Sequence, residues 1–385
     1  MRTSQLRRSA AAAVALTVAT GVVACSGAAP GSGGGAVSVS VLPPIAQQGL
    51  RPAKPEDASS VVSARFDKSS AGREVTLEAD SKGTWKATDS AEVRANGTVD
   101  FVVDGRADSY RVVAERSGDL PATTSPAVDS DAWAEPDFSE TFAGEKLSDA
   151  WVHRGPDYNP VGLRRCSKGS PEAVELGGGT ARLLVVDDPT REEPCEAVAA
   201  DGESLGEFDY RLNGHIASNA LFVHGVTAAR IRFQREKGQH GSFWLQSHLG
   251  VAPTDPLRSG AEIDVVEYFG ESKDDRLASF VYYPTKDGSV KEGDWIKNAS
   301  DFLAGRGDDW WKAFHVFSLE WTKDEYVIRI DGQEAWRTKE GISGQPEFIV
   351  LSLLSSDYEL PNLPEGGLPQ AMHVDWVRHW PPSPG

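Results

Sequence analysis

The chain has 385 residues, 39% of them hydrophobic, enough for a sizeable core and, as a prior, for two or three domains. Its formal charge of −18 argues against a nucleic-acid partner, because the phosphate contribution would be repulsive. With 38 Gly, 23 Pro and 11 Trp and few segments of helical period, the composition points to β-sheet with many turns.

Arg2, Arg7 and Arg8 followed by the apolar run Ala10 to Ala24 have the layout of a bacterial export signal. The run is too short to span a membrane comfortably. It ends at Val22-Val-Ala-Cys25, which resembles a lipoprotein box, so residues 1–25 are expected to be a signal peptide and Cys25 the lipidated N-terminus. An ordinary secretory signal cut nearby is the alternative. The expected location is therefore exported, held at the outer face of the cell membrane by lipid on Cys25 or secreted.

Residues 26–57, rich in Gly, Ser, Ala and Pro, read as a flexible tether. Residues 58–117 hold short alternating runs, among them Val61-Val-Ser-Ala-Arg-Phe66 and Val99-Asp-Phe-Val-Val103, with turns at Asn96-Gly97 and Asp104-Gly105. They predict a small immunoglobulin-like β-sandwich, with Trp85 and Tyr110 in its core. A second Pro- and Thr-rich linker covers 118–136. From 137 to 381 strands follow at short intervals, a pattern that fits an all-β double-sheet jelly roll. Cys166 and Cys195 form an even pair in an exported chain and are expected to be disulfide-bonded.

Within that region Glu262-Ile-Asp-Val-Val-Glu267 places three carboxylates in an otherwise apolar strand, where an unpaired buried acid is costly. An edge strand with a solvated acidic face is the simplest account. In a regular strand Glu262 and Asp264 share a face and Glu267 points to the other. One bulged residue at Val265-Val266 would reverse that parity and bring all three acids to one face. Such a row suits retaining glycoside hydrolysis, with Glu262 as nucleophile, Glu267 as acid and then base, and Asp264 between them to hold Glu262 and influence how the pair shares protons.

The strand is similar to the active-site strand of glycoside hydrolase family 16, in the bulged form of its laminarinase-like branch. The resemblance extends through His224-Gly-Val-Thr-Ala-Ala-Arg-Ile-Arg232, Gly241-Ser-Phe-Trp-Leu245, His315-Val-Phe-Ser-Leu-Glu-Trp321 and Val374-Asp-Trp-Val-Arg378. It implies a concanavalin-like jelly-roll sandwich with an open cleft over 137–381, and an endo-acting β-1,3-glucanase. The alternatives are a β-1,3-galactan or another polysaccharide as substrate, transglycosylation, or a glycan-binding protein on the same fold. Trp244 matches the tryptophan beneath the reacting sugar, and Arg230 an arginine that orders the cleft or touches substrate.

His240, Tyr268 and Tyr282 are further substrate-binding candidates, Tyr282 standing where relatives usually carry a histidine. The resemblance also offers Glu140 and Asp375 as ligands of a structural calcium. Catalysis itself calls for no cofactor. The expected partners are a polysaccharide and, through Cys25 only, a membrane, with the protein a monomer.

Overall fold

The computed structural model describes residues 37–249, 254–272, 277–305 and 307–382. Cys25 and the export signal lie outside them. The described residues are almost entirely strand and turn, with one α-helical turn, Pro256–Ser259.

Most of the chain forms one 16-stranded sheet that folds over on itself. One half runs Gly288–Trp295, Leu277–Thr285, Glu262–Tyr268, His240–Ser247, Glu347–Leu354 and Arg211–Ser218. The other runs Thr180–Asp187, Gln370–Trp380, Gly225–Arg232, His315–Trp321, Tyr326–Ile330 and Gln333–Thr338. Phe243, Leu245, Ile263 and Val266 from the first half meet Ile231, Phe317, Leu319 and Ile328 from the second in one core. Alternate positions, as in Phe243 and Leu245 or Phe317 and Leu319, turn one side of each strand inward. The result is the expected all-β jelly-roll sandwich.

Asp331 and Gly332 close the hairpin between Tyr326–Ile330 and Gln333–Thr338, both with left-handed backbone (φ 46° and 81°). That conformation suits the two-residue turn that Asp-Gly favours. Asp331 also binds the buried His315, whose Nδ1 is 2.7 Å from Asp331 Oδ2. A side chain at Gly332 would collide with Val61 at 2.3 Å, so the hairpin tip packs directly against the N-terminal sheets.

Those sheets differ from expectation at both ends. Ser38–Ala46, inside the segment expected to be a tether, is the edge strand of a three-stranded sheet with Ser59–Arg65 and Thr98–Val103. Its alternation of Val39, Val41 and Leu42 with serines supplies the strand pattern, and Pro43-Pro44 are tolerated because the strand is an edge. In the expected linker, Thr123–Thr124 and Val128–Asp129 pair with Ser109–Ala114, and Trp133 donates its indole N–H to Val41 O at 2.7 Å. The two small sheets enclose Val62, Val75, Phe101 and the predicted core residue Tyr110. Trp85 is not a core residue. It is half-buried on Thr84–Glu92 with the Arg111 guanidinium 4.2 Å above its ring.

Candidate active site

The strand Glu262–Tyr268 is irregular where the parity argument requires it. Against His240–Ser247, Phe243 pairs with Val266 and Trp244 with Asp264, leaving Val265 without a register partner. On the other side, Asp264 pairs with Phe280 and Glu267 with Ala278, again one residue out of step. Both valines are fully buried in the core. This bulge turns Glu267 to the side occupied by Glu262 and Asp264.

Facing the acids across the next strand are Gln246 opposite Glu262, Trp244 opposite Asp264 and Ser242 opposite Glu267. Gln246 donates to Glu262 Oε2 at 3.2 Å, and the Ser242 hydroxyl lies 3.4 Å from Glu267 Oε1. Arg154 in turn donates to Gln246 Oε1 at 2.9 Å and stacks on Phe348, with its guanidinium 4.7 Å from the ring. The Trp244 indole N–H is held by Ser352 Oγ at 3.1 Å, and His215 stacks on its ring. Glu262, Gln246, Arg154, Tyr282 and Phe348 line a cleft of about 520 Å³, open to solvent beside the acids.

The electrostatics divide the three carboxyls. Burial, and then the Glu267 and Glu262 carboxylates, push Asp264 well above the usual carboxylate range. Glu262 is raised by burial and by Glu267, while Arg164 and the Gln246 amide pull it down. Of these two, Asp264 is pushed further toward its neutral form. His215, buried and facing Arg154 and Arg164, falls to about 3 and is neutral.

Tyr282, the cross-strand partner of Glu262, is half-buried at the cleft; burial and the three acids raise its phenol. Tyr268 does not face substrate. It is 1% exposed in the sandwich core against Phe233, because it neighbours Glu267 and so points to the opposite face. His240 is 3% exposed and lies behind Glu267, bonded to Glu359, a position that rules out direct donation to a sugar hydroxyl.

Arg230 is also no cleft residue. Its guanidinium is buried, paired with Asp375, and donates to the carbonyls of Gln47 at 2.7 Å and Arg51 at 3.1 Å. It therefore fastens residues 47–51 to its own strand, Gly225–Arg232, and through Asp375 to the strand Gln370–Trp380. The same pair disposes of the calcium expectation, since a cation already occupies Asp375. Glu140 is used locally, accepting from the backbone N–H of Thr141 and Phe142 and from Ser148 Oγ at 2.8 to 2.9 Å. Among the described residues no group of three or more His, Cys, Asp or Glu could hold a metal ion.

Cys166 and Cys195 are disulfide-bonded. The Asp357 carboxylate accepts from Arg165 N, Cys166 N and Val198 N at 2.9 to 3.2 Å, which ties both arms of this loop to residues 355–359 beside the cleft.

Ser242 and Gln246 could have been found from sequence, since they share Trp244's parity. Arg154, Arg164, Phe348 and Glu359 come from distant segments and carry no local pattern.

Residues 194–377 match the family model for glycosyl hydrolases family 16. The chain carries a glycosyl hydrolase family 16 domain. On that match the protein is a glycoside hydrolase.

Among solved structures, the laminarinase catalytic domain from Thermotoga maritima is 16% identical, with a TM-score of 0.49, covering 65% of this chain and 98% of that one. The endo-β-1,3-glucanase from Pyrococcus furiosus is also 16% identical, with a TM-score of 0.47, covering 64% and 94%. The catalytic domain of LamA from Zobellia galactanivorans is 18% identical, with a TM-score of 0.48, covering 65% and 98%. No curated protein matches the chain.

Proposed function

We propose that this family 16 domain is an endo-acting, retaining β-glycosidase that hydrolyses β-1,3-linked glucan. The observation that carries the mechanism is the bulge at Val265, which turns Glu262, Asp264 and Glu267 to one side of the sheet. The substrate rests on the similarity of Glu262-Ile-Asp-Val-Val-Glu267 to the bulged, laminarinase-like strand, and the open cleft suits attack within a polymer.

Glu262, oriented by Gln246, attacks the anomeric carbon while Glu267 gives its proton to the departing oxygen. Glu267 then takes a proton from the water that adds to that carbon, and Glu262 leaves as carboxylate. Burial and its two neighbours bias Asp264 toward its neutral form, which lessens the charge against which Glu262 must ionise. Trp244 offers the sugar its indole face. The Cys166–Cys195 bond accords with an oxidising compartment, and we extend the proposal to export with lipid on Cys25.

The test is reducing-sugar release from laminarin, lichenan, agarose and β-1,3-galactan, with the anomer of the first product read by NMR. Wild type should cut laminarin with retention, and Glu262→Gln should lose about 10³-fold or more in kcat. Cleavage of another glycan would move the substrate, and longer products would indicate transglycosylation. Binding without release across the panel would make this a glycan-binding protein.

A further inference from the structure

His240 sits at the end of the row formed by Gln246, Trp244 and Ser242, with its imidazole between two carboxylates. Its Nδ1 is 2.7 Å from Glu359 Oε2, and its Nε2 is 3.9 Å from Glu267 Oε1. His240 and Glu359 are only 3% and 4% exposed. Phe269 stacks on the ring at 5.3 Å, and Ser356 N donates to Glu359 Oε2 at 2.9 Å. The imidazole is thus fixed in plane and orientation from two sides, with its second nitrogen aimed at the general acid.

We propose that Glu359 and His240 form a positioning pair for Glu267, the carboxylate fixing the imidazole so that its Nε2–H is directed at the acid/base. The inference rests on the reading of Glu267 given above. When Glu267 gives its proton to the leaving oxygen, a protonated His240 beside it stabilises the carboxylate left behind. When Glu267 takes a proton from the attacking water, that stabilisation is released, and His240 itself gains and loses no proton over the cycle.

Burial alone would favour the neutral ring. The carboxylates of Glu359 and then Glu267 outweigh it and hold the imidazole above the ordinary histidine range, with Arg164 opposing. His215 is neutral at neutral pH and adds no competing charge, and the phenol of Tyr358, raised by burial and by Glu359 and Glu267, adds none either. His240 thus stands at the end of a row of three carboxyls that share one face of the sheet.

Two readouts test the pair. In the first, NMR follows the imidazole of His240 against pH in wild type, Glu267→Gln and Glu359→Gln. Both substitutions should lower the pH at which His240 titrates, Glu359→Gln by more. A His240 titration that is the same with and without the Glu267 carboxylate would overturn the proposal, whether or not the protein cleaves any glycan.

In the second, the basic limb of kcat/KM for laminarin should move up by roughly half a pH unit or more in His240→Gln and in Glu359→Gln. Loss of that cation raises the proton affinity of Glu267. A limb that stays in place while the thermal midpoint falls would assign the pair a structural role only. Glu359→Gln keeps the hydrogen-bonding shape, so the test stands even where His240→Gln fails to fold. Absence of glycan cleavage by wild type would count against the acid/base reading, while the coupled titration still decides the pair.

Discussion

At the scale of single residues, burial decides which charged groups serve chemistry and which serve the scaffold. Arg230 and Asp375 are 1% and 3% exposed and answer each other, so truncating one leaves the other as an uncompensated buried charge. Arg230→Met is expected to cost about 3 to 5 kcal/mol of stability in denaturant titration. KM for glucan should be unchanged, and a KM effect without a stability loss would return Arg230 to the cleft. Glu347 shows the opposite arrangement, a fully buried carboxyl accepting from Ala261 N at 3.0 Å and raised from its ordinary 4.5 to about 8, chiefly by burial. A carboxyl raised on folding binds more protons folded than unfolded, so its contribution to stability is lost as pH climbs from about 4.5 to about 8. Glu347→Gln should therefore flatten the fall of the thermal midpoint over that window, and an unaltered slope would refute the assignment.

At the scale of the element, the bulge is what makes the strand Glu262–Tyr268 an active-site strand. Its neighbours on both sides are out of register by one residue at the same place, while Val265 and Val266 both stay in the core. Deleting Val265 restores a regular alternation and sends Glu267 toward the apolar interior. The deletion variant should lose glucan hydrolysis completely and melt lower, because a carboxylate would enter the core without a partner. Activity that survives the deletion would show that the two glutamates need not share a face. On the adjoining strand, period-two order sorts the side chains without a bulge. His240, Ser242, Trp244 and Gln246 face the acids, and Phe243 and Leu245 face the core.

At the scale of the whole molecule, the small N-terminal sheets and the large folded sheet are joined by buried ionic and apolar contacts. Asp100 accepts from Arg329 at 3.0 Å, from Arg94 at 2.6 Å and from the Glu334 backbone at 3.0 Å. Burial raises its pKa, but Arg329 and Arg94 outweigh that and hold the carboxylate ionised. Leu42, Ile45 and Val61 from one side share a cluster with Val226, Val316 and Trp376 from the other. Asp100→Ala takes from Arg329, 2% exposed, the nearer of two carboxylate partners and leaves Glu320 at 3.3 Å, and should lower a single, shared calorimetric transition by the equivalent of about 3 kcal/mol. Two separate transitions, with the later one unmoved, would show the sheets to be independent.

The sequence by itself determined the all-β class, the acid strand and the need for one extra residue within it, because strand parity is a local property of alternating side chains. It also pointed to the Cys166–Cys195 pairing. What only the tertiary structure decided was which of the remaining polar residues meet the acids. Arg230 and Tyr268 carry the right chemistry but sit on the wrong face, and Arg154 and Glu359 reach the site from strands and loops far apart in the chain. Parity assigns a side chain to a face. Only the folding of the sheet decides which distant residue stands opposite it.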